Sequence, residues 1–228
     1  MNKEQVFVIV GASLAGAKAG EALRSEGFDG RVVLIGEEPH RPYERPPLSK
    51  DYLRGEAEAD KLYVHGEGFY TEHDIELRTG SPVTTIDRAS GIVIDATGER
   101  TRYDRLLVAT GAAARRLRFP GAELGGIFYL RYRADADRLR RALATATRVA
   151  VVGGGWIGAE VAASVRQMGR EVTMIHSDTA PLRASSAPRR LRRPQCPRRT
   201  IDEDVDHARS VLDRLRRSAS TWPTSAPP

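Results

Sequence analysis

At 228 residues the chain has room for one large or two small domains with a sizeable core, and 40% hydrophobic against 29% charged residues fits a globular protein. No run of ~18 apolar residues reads as a membrane span and Met1–Gln5 lacks a signal-peptide core, so a cytoplasmic protein that avoids the membrane is expected. The single Cys196 excludes an intrachain disulfide and any all-cysteine metal or iron–sulfur site within this chain, and no metal is expected.

The net charge of +6 is no argument for nucleic-acid binding, because of where it lies. From Arg183 to Pro228 there are eleven Arg and no Lys against five Asp plus Glu, so the rest of the chain is close to neutral.

Val6-Phe7-Val8-Ile9-Val10 is an unbroken apolar run, mostly β-branched, which predicts a parallel strand buried on both faces. Gly11-Ala12-Ser13-Leu14-Ala15-Gly16 then turns tightly into a helix, whose free N–H groups and positive dipole end suit a dinucleotide pyrophosphate. The middle glycine of the G-x-G-x-x-G pattern is Ser13 here, still a small side chain. The crossover helix is expected over 14–26, stopped by Gly27; Gly20 inside it costs roughly 1 kcal/mol against alanine. Arg31–Gly36 is the second strand, followed by Glu37. An acid there accepts hydrogen bonds from the adenosine ribose, although its spacing of 26 residues from Gly11 exceeds the usual ~20, and a solvated loop acid is the plain alternative.

Three prolines order the next loop, Pro42-Tyr43-Glu44-Arg45-Pro46-Pro47-Leu48-Ser49-Lys50. With the first turn, this run resembles the oxygenase-coupled ferredoxin reductases (putidaredoxin- and rhodocoxin-reductase-like) of the pyridine nucleotide-disulfide oxidoreductase superfamily. The resemblance implies an α/β fold of two Rossmann-type dinucleotide-binding units with a small β-meander. It also implies FAD and NAD(P)H as cofactors, and a ferredoxin-type iron–sulfur protein as electron acceptor.

Residues 62–103 read as a short helix at 69–73 and a meander of strands at 76–78, 83–87, 92–95 and 100–103, separated by Gly-containing turns. Leu106-Leu107-Val108-Ala109-Thr110-Gly111 is another apolar strand, expected to be buried, and matches the family's Ala-Thr-Gly motif. A connector follows, with an Arg-rich bend, a short strand at Ile127–Leu130 and a helix near Ala134–Ala146. By resemblance the FAD contacts are Gly11, Ser13, Leu14, Ala15, Gly16, Glu37, Arg45, Lys50, Val83, Ala109, Thr110, Gly111 and Arg131; an ordinary surface arginine is the alternative at Arg131.

The motif recurs about 140 residues on, as strand Val149–Val152 and Gly153-Gly154-Gly155-Trp156-Ile157-Gly158, with a helix over 159–168 and a strand over 171–175. The second unit is read as the NAD(P)H site, with Gly153, Gly155, Trp156, Ile157, Gly158 and Glu160 as contacts. His176 stands where the resemblance leads one to expect a ribose-binding Glu, leaving NAD against NADP open. Lys50 and Glu160 are the candidate catalytic residues. The resemblance places Lys50 near the flavin N5, paired with Glu160, and Trp156 near the nicotinamide. A surface amine, a helix-start carboxylate and core packing are the respective ordinary roles. The first domain has no cysteine, so no cysteine pair relays electrons, which suits an external one-electron carrier.

The expected divisions are an FAD-binding domain at 1–112, a partial NAD(P)-binding domain at 113–182 and an irregular tail at 183–228. The resemblance stops near Leu182, where an Arg/Pro/Ala/Ser-rich stretch replaces the family's remaining motifs and one amphipathic helix is expected over 200–217. The swap reads as truncation or out-of-frame translation, and a catalytically impaired nucleotide-binding remnant is the alternative function.

Overall fold

The computed structural model describes residues 4–176 and Leu182; the expected tail and its helix lie outside them. The chain divides into two compact units. One comprises residues up to Arg115 with Tyr129–Asp137, and the other Arg116–Phe128 with the described residues from Arg138 onward. Residues 129–137 thus follow the expected boundary at 112 yet cluster with the first unit.

The first unit is built on β1 (Val6–Val10), α1 (Leu14–Ser25), β2 (Arg31–Ile35), α2 (Asp51–Arg54), α3 (Phe69–Glu72), β3 (Ile75–Arg78), β4 (Val83–Asp87), β5 (Ile92–Asp95), β6 (Arg100–Arg102) and β7 (Arg105–Val108). A four-stranded parallel sheet has the order β3-β2-β1-β7, with Val6 opposite Arg31, Val32 opposite Ile75 and Phe7 opposite Arg105. The apolar run of β1 is divided between two faces, because alternate side chains point to opposite sides. Val8 and Val10 pack with Val33, Ile35 and Val93. Ile9 packs with Val32, Leu34, Tyr70 and Ile75. The second cluster takes in Ala19, Leu23 and Phe28, so α1 covers that face. Val83, Tyr103 and Leu106 close the first.

Four expectations change. Residues 76–78 are not part of the meander: β3 pairs in parallel with β2, and the antiparallel sheet is β4-β5-β6 alone. Ile127–Leu130 forms no strand and runs as irregular chain. The strand at 105–108 is not buried on both faces. As the sheet edge it leaves Leu107 43% and Val108 56% exposed. The helix expected from 159 begins three residues earlier, at Trp156.

α4 (Arg133–Thr145) contributes its first turn to the first unit. In the second, β8 (Arg148–Val152), α5 (Trp156–Gln167) and β9 (Glu171–Ile175) form one parallel βαβ repeat, Arg148 opposite Glu171, with Val161, Ser164 and Val165 of α5 buried. Among the described residues no helix is long and apolar enough to cross a membrane.

Candidate functional site

The two glycine turns share one geometry, each within its own unit. Gly11 adopts φ +119° and donates its N–H to Ile35 O at 2.7 Å; Gly153 adopts φ +116° and donates to Ile175 O at 2.8 Å. Each turn is thereby stitched to the carboxyl end of the neighbouring strand. A Cβ on Gly16 would lie 2.0 Å from Gly11 O, and one on Gly158 2.0 Å from Gly153 O, so each helix grows backbone-on-backbone from its turn. Ser13 and Gly155 hold the N-cap positions in extended conformations, and neither caps its helix with a side chain. The first N–H groups of α1 and α5 therefore lack intrahelical acceptors, an arrangement that suits an anion. Leu14 and Ala15 are exposed at the start of α1.

Steric closure is tighter in the first unit. A Cβ on Gly11 would stand 2.2 Å from Ala109 O, and one on Gly36 would stand 2.5 Å from the Ala12 methyl. The reason for glycine at 11 is thus the strand beyond β7 as well as the turn itself. Ala109 donates its N–H to Val10 O at 2.7 Å, carrying the ladder past β7, and Thr110 and Gly111 follow, exposed. Val83 packs against the cluster of Val8, Val10, Val33, Ile35 and Val93, two residues past Ser81, whose N–H bonds Gly36 O at 2.8 Å just beyond β2.

Two acids follow β2 and behave differently. Glu37 is exposed. Glu38 is half-buried, accepting from the Tyr43 hydroxyl at 2.5 Å on Oε2 and from Arg45 Nη2 at 3.2 Å on Oε1. Arg45 also donates from Nη1 to Arg131 O at 3.2 Å. Arg131 is fixed from the other side by Asp135, whose Oδ2 accepts from the N–H groups of Arg131 at 3.0 Å and Tyr132 at 2.8 Å. Asp135 stands third in α4 and reaches back to the residue before the helix, the reciprocal half of a capping box. The Arg131 guanidinium lies against Gly111, with Nη2 2.9 Å from where a Cβ would stand, and its buried Nε has no hydrogen-bond partner among the described residues. A buried guanidinium N–H without an acceptor is costly, and an anionic or carbonyl-bearing ligand would satisfy it.

Lys50 is half-buried at the junction of the Pro46–Ser49 turn and α2, where its N–H bonds Pro47 O and its carbonyl accepts from Arg54. The proline run gives this loop a fixed shape, with Pro42, Leu48 and Ser49 buried. Glu160 is half-buried just past the first turn of α5, and Trp156 and Ile157 open that helix at 61% and 53% exposure. His176 follows β9, with a buried Nδ1 that has no hydrogen-bond partner among the described residues. Lys50 belongs to the first unit and Glu160 to the second.

These groups fit a dinucleotide in the first unit. The glycine cradle would be filled by any side chain, an exposed acid follows β2, and a guanidinium whose Nε bonds none of the described residues lies beside Gly111. Sequence reasoning missed the polar web behind them, namely Glu38, Tyr43, Asp135 and Arg133, whose guanidinium reaches the hydroxyls of Tyr52 at 3.3 Å and Tyr63 at 3.0 Å. Asp135 had a local signature in its helix position; the tyrosines meet Arg133 across 70 to 90 residues and had none. Among the described residues no group of His, Cys, Asp and Glu is arranged to hold a metal ion.

Comparison with known proteins agrees with this geometry. The family described as pyridine nucleotide-disulphide oxidoreductase matches residues 6–193. Rhodocoxin reductase of Rhodococcus erythropolis is 42% identical over 178 residues, covering 77% of this chain and 41% of its own. The ferredoxin–NAD(+) reductase component of the 3-phenylpropionate/cinnamic acid dioxygenase of Photorhabdus laumondii is 47% identical over 175 residues, covering 76% and 44%. The reductase in a covalent putidaredoxin reductase–putidaredoxin complex superposes with a TM-score of 0.77 at 38% identity, over 82% of this chain and 46% of that one. The chain spans less than half the length of these relatives.

Proposed function

Because this chain belongs to the pyridine nucleotide-disulphide oxidoreductase family, we propose that it carries the FAD-binding part and a portion of the NAD(P)H-binding part of an NAD(P)H:ferredoxin oxidoreductase. Electrons would pass from NAD(P)H through FAD to a small iron–sulfur protein. The observation that carries this reading is the paired geometry of Gly11–Gly16 and Gly153–Gly158, one nucleotide turn in each unit.

Bound FAD would supply the chemistry, accepting a hydride's two electrons and releasing them singly. The protein's part is to bind and tune. The Gly11–Gly16 turn presents free N–H groups and the positive end of α1 to the pyrophosphate. Glu37, exposed after β2, accepts hydrogen bonds from the ribose hydroxyls. Arg131 offers its orphaned Nε–H and a positive charge beside the Ala109–Gly111 turn. Lys50 places a cation on a rigid loop, where it favours the electron-rich reduced flavin. In the second unit the start of α5 receives the nicotinamide cofactor's pyrophosphate, and exposed Trp156 offers a flat apolar face to the nicotinamide. Cys196 is the sole cysteine of this sequence, so no cysteine pair within it takes the electrons, and a one-electron protein acceptor suits direct release. We place this activity in the cytoplasm, where reduced nicotinamide cofactors are at hand.

The test is purification of the full chain, with its bound flavin and its NAD(P)H:ferricyanide turnover measured with and without a ferredoxin. Flavin-loaded protein that is reduced by NAD(P)H supports the reading. Protein that takes up neither nucleotide overturns it.

A further inference from the structure

We infer that Tyr43 is a positioning residue, one buried hydroxyl that ties the acid-bearing end of β2 to the Arg131 segment and so sets two sides of the flavin site together. The inference rests on the proposed FAD reading of the first unit.

Tyr43 is 3% exposed and its ring packs among Leu48, Tyr52, Leu62 and Ala136. Its hydroxyl is used in both directions, donating to Glu38 Oε2 at 2.5 Å and accepting the Arg133 N–H at 2.9 Å. Holding Glu38 fixes the chain next to Glu37, the exposed acid at the end of β2. Holding Arg133 N fixes the chain two residues beyond Arg131. Arg45 spans the same gap in parallel, from Glu38 Oε1 at 3.2 Å to Arg131 O at 3.2 Å. The Glu38 carboxylate thus serves Tyr43 with one oxygen and Arg45 with the other. Burial, reinforced by Glu38, holds the phenol above its ordinary range, so it keeps the proton that this double role needs. Removing the hydroxyl would strip Glu38 Oε2 and Arg133 N of that partner in a partly buried place, which costs at least what the bond itself stabilises. Arg45 would then be the only direct link from Glu38 to the Arg131 segment among these bonds.

The experiment is FAD titration of the full chain, followed by quenching of flavin fluorescence. Tyr43→Phe keeps the ring and should weaken FAD binding about tenfold. Tyr70→Phe, which removes another buried hydroxyl of the first unit, one that bonds none of the described residues, should bind FAD like the parent. A positioning role also predicts coupling, because residues that act through one another are not additive. In an Arg131→Ala background, Tyr43→Phe should change FAD affinity by less than about twofold. Should Tyr43→Phe fail to fold, Glu38→Gln tests the same link and should show the same coupling to Arg131. A parent that binds FAD while Tyr43→Phe binds equally well, or loses the same factor with and without Arg131, overturns the inference alone. A parent that does not quench FAD overturns the flavin reading and the inference with it.

Discussion

Gly16 lies so close over Gly11 that a Cβ on Gly16 would fall 2.0 Å from the Gly11 carbonyl oxygen and 3.0 Å from Leu34 Cδ1. No rotamer relieves a clash with a backbone carbonyl, so a methyl group there must lift α1 from its turn. Gly16→Ala should therefore destabilise the first unit by about 1–3 kcal/mol and strip it of flavin. Gly11→Val should do at least as much, with a side chain driven into Ala109 O at φ +119°. Chemical denaturation and the flavin absorbance of the purified variants check both; unchanged flavin content in either would sink the assignment.

The opposite outcome is expected one turn further on. Gly20 is helical and buried, but a Cβ there would meet Ile75 Cδ1 at 3.4 Å, the edge of ordinary contact. Gly20→Ala should raise stability by up to about 1 kcal/mol through the backbone freedom it removes from the unfolded chain. A fall in thermal midpoint would show that Ile75 cannot give way.

The glycine turns and the apolar strands that feed them were legible in the sequence because their causes are local: a positive φ at Gly11, a missing Cβ at Gly16, five apolar residues for a strand covered on both sides. The membership of β3 was not legible. Four residues with no distinctive pattern carry no information about which strand they will join, and its pairing to β2 is settled by Tyr70 and Ile75 packing under α1. Ile127–Leu130 misled for a similar reason. The run is strand-like in composition, yet Leu130 packs against the cluster around Tyr43 without any ladder. The site divides in the same way. Glu37 and Gly111 are proposed for the site on motif alone, whereas the holding of Glu38 rather than Glu37 depends on Tyr43 and Arg45.

His65 gives the first unit a pH dependence. Its side chain is only 10% exposed, stacks on Phe69 with centroids 3.7 Å apart, and keeps Nε2 3.4 Å from Glu21. Burial lowers its pKa; Glu21 opposes that, while Lys18 and His73 reinforce it. The unfolded chain binds this proton near pH ~6.5 and the folded chain resists it, so stability is lost as the pH falls below that value. Denaturation midpoints should drop on acidification, and His65→Phe, which keeps the stacking, should flatten that slope. Identical slopes in parent and variant would remove His65 as the cause.

Lys50 is expected to act on the flavin electrostatically. Without its cation the reduced, electron-rich form loses support, so Lys50→Ala should bind FAD but show a more negative flavin reduction potential and a slower reduction by NAD(P)H, by at least about tenfold. A potential and a rate equal to the parent's would take Lys50 out of the mechanism.

The most direct measurement of the central claim, that the first unit is an FAD site built on the Gly11–Gly16 turn, is the flavin stoichiometry of the full chain after reconstitution with FAD and gel filtration. The parent should retain one FAD per chain with a protein-perturbed visible spectrum, and Gly16→Ala should retain none. A colourless parent, or a Gly16→Ala variant that holds flavin as the parent does, would contradict the account.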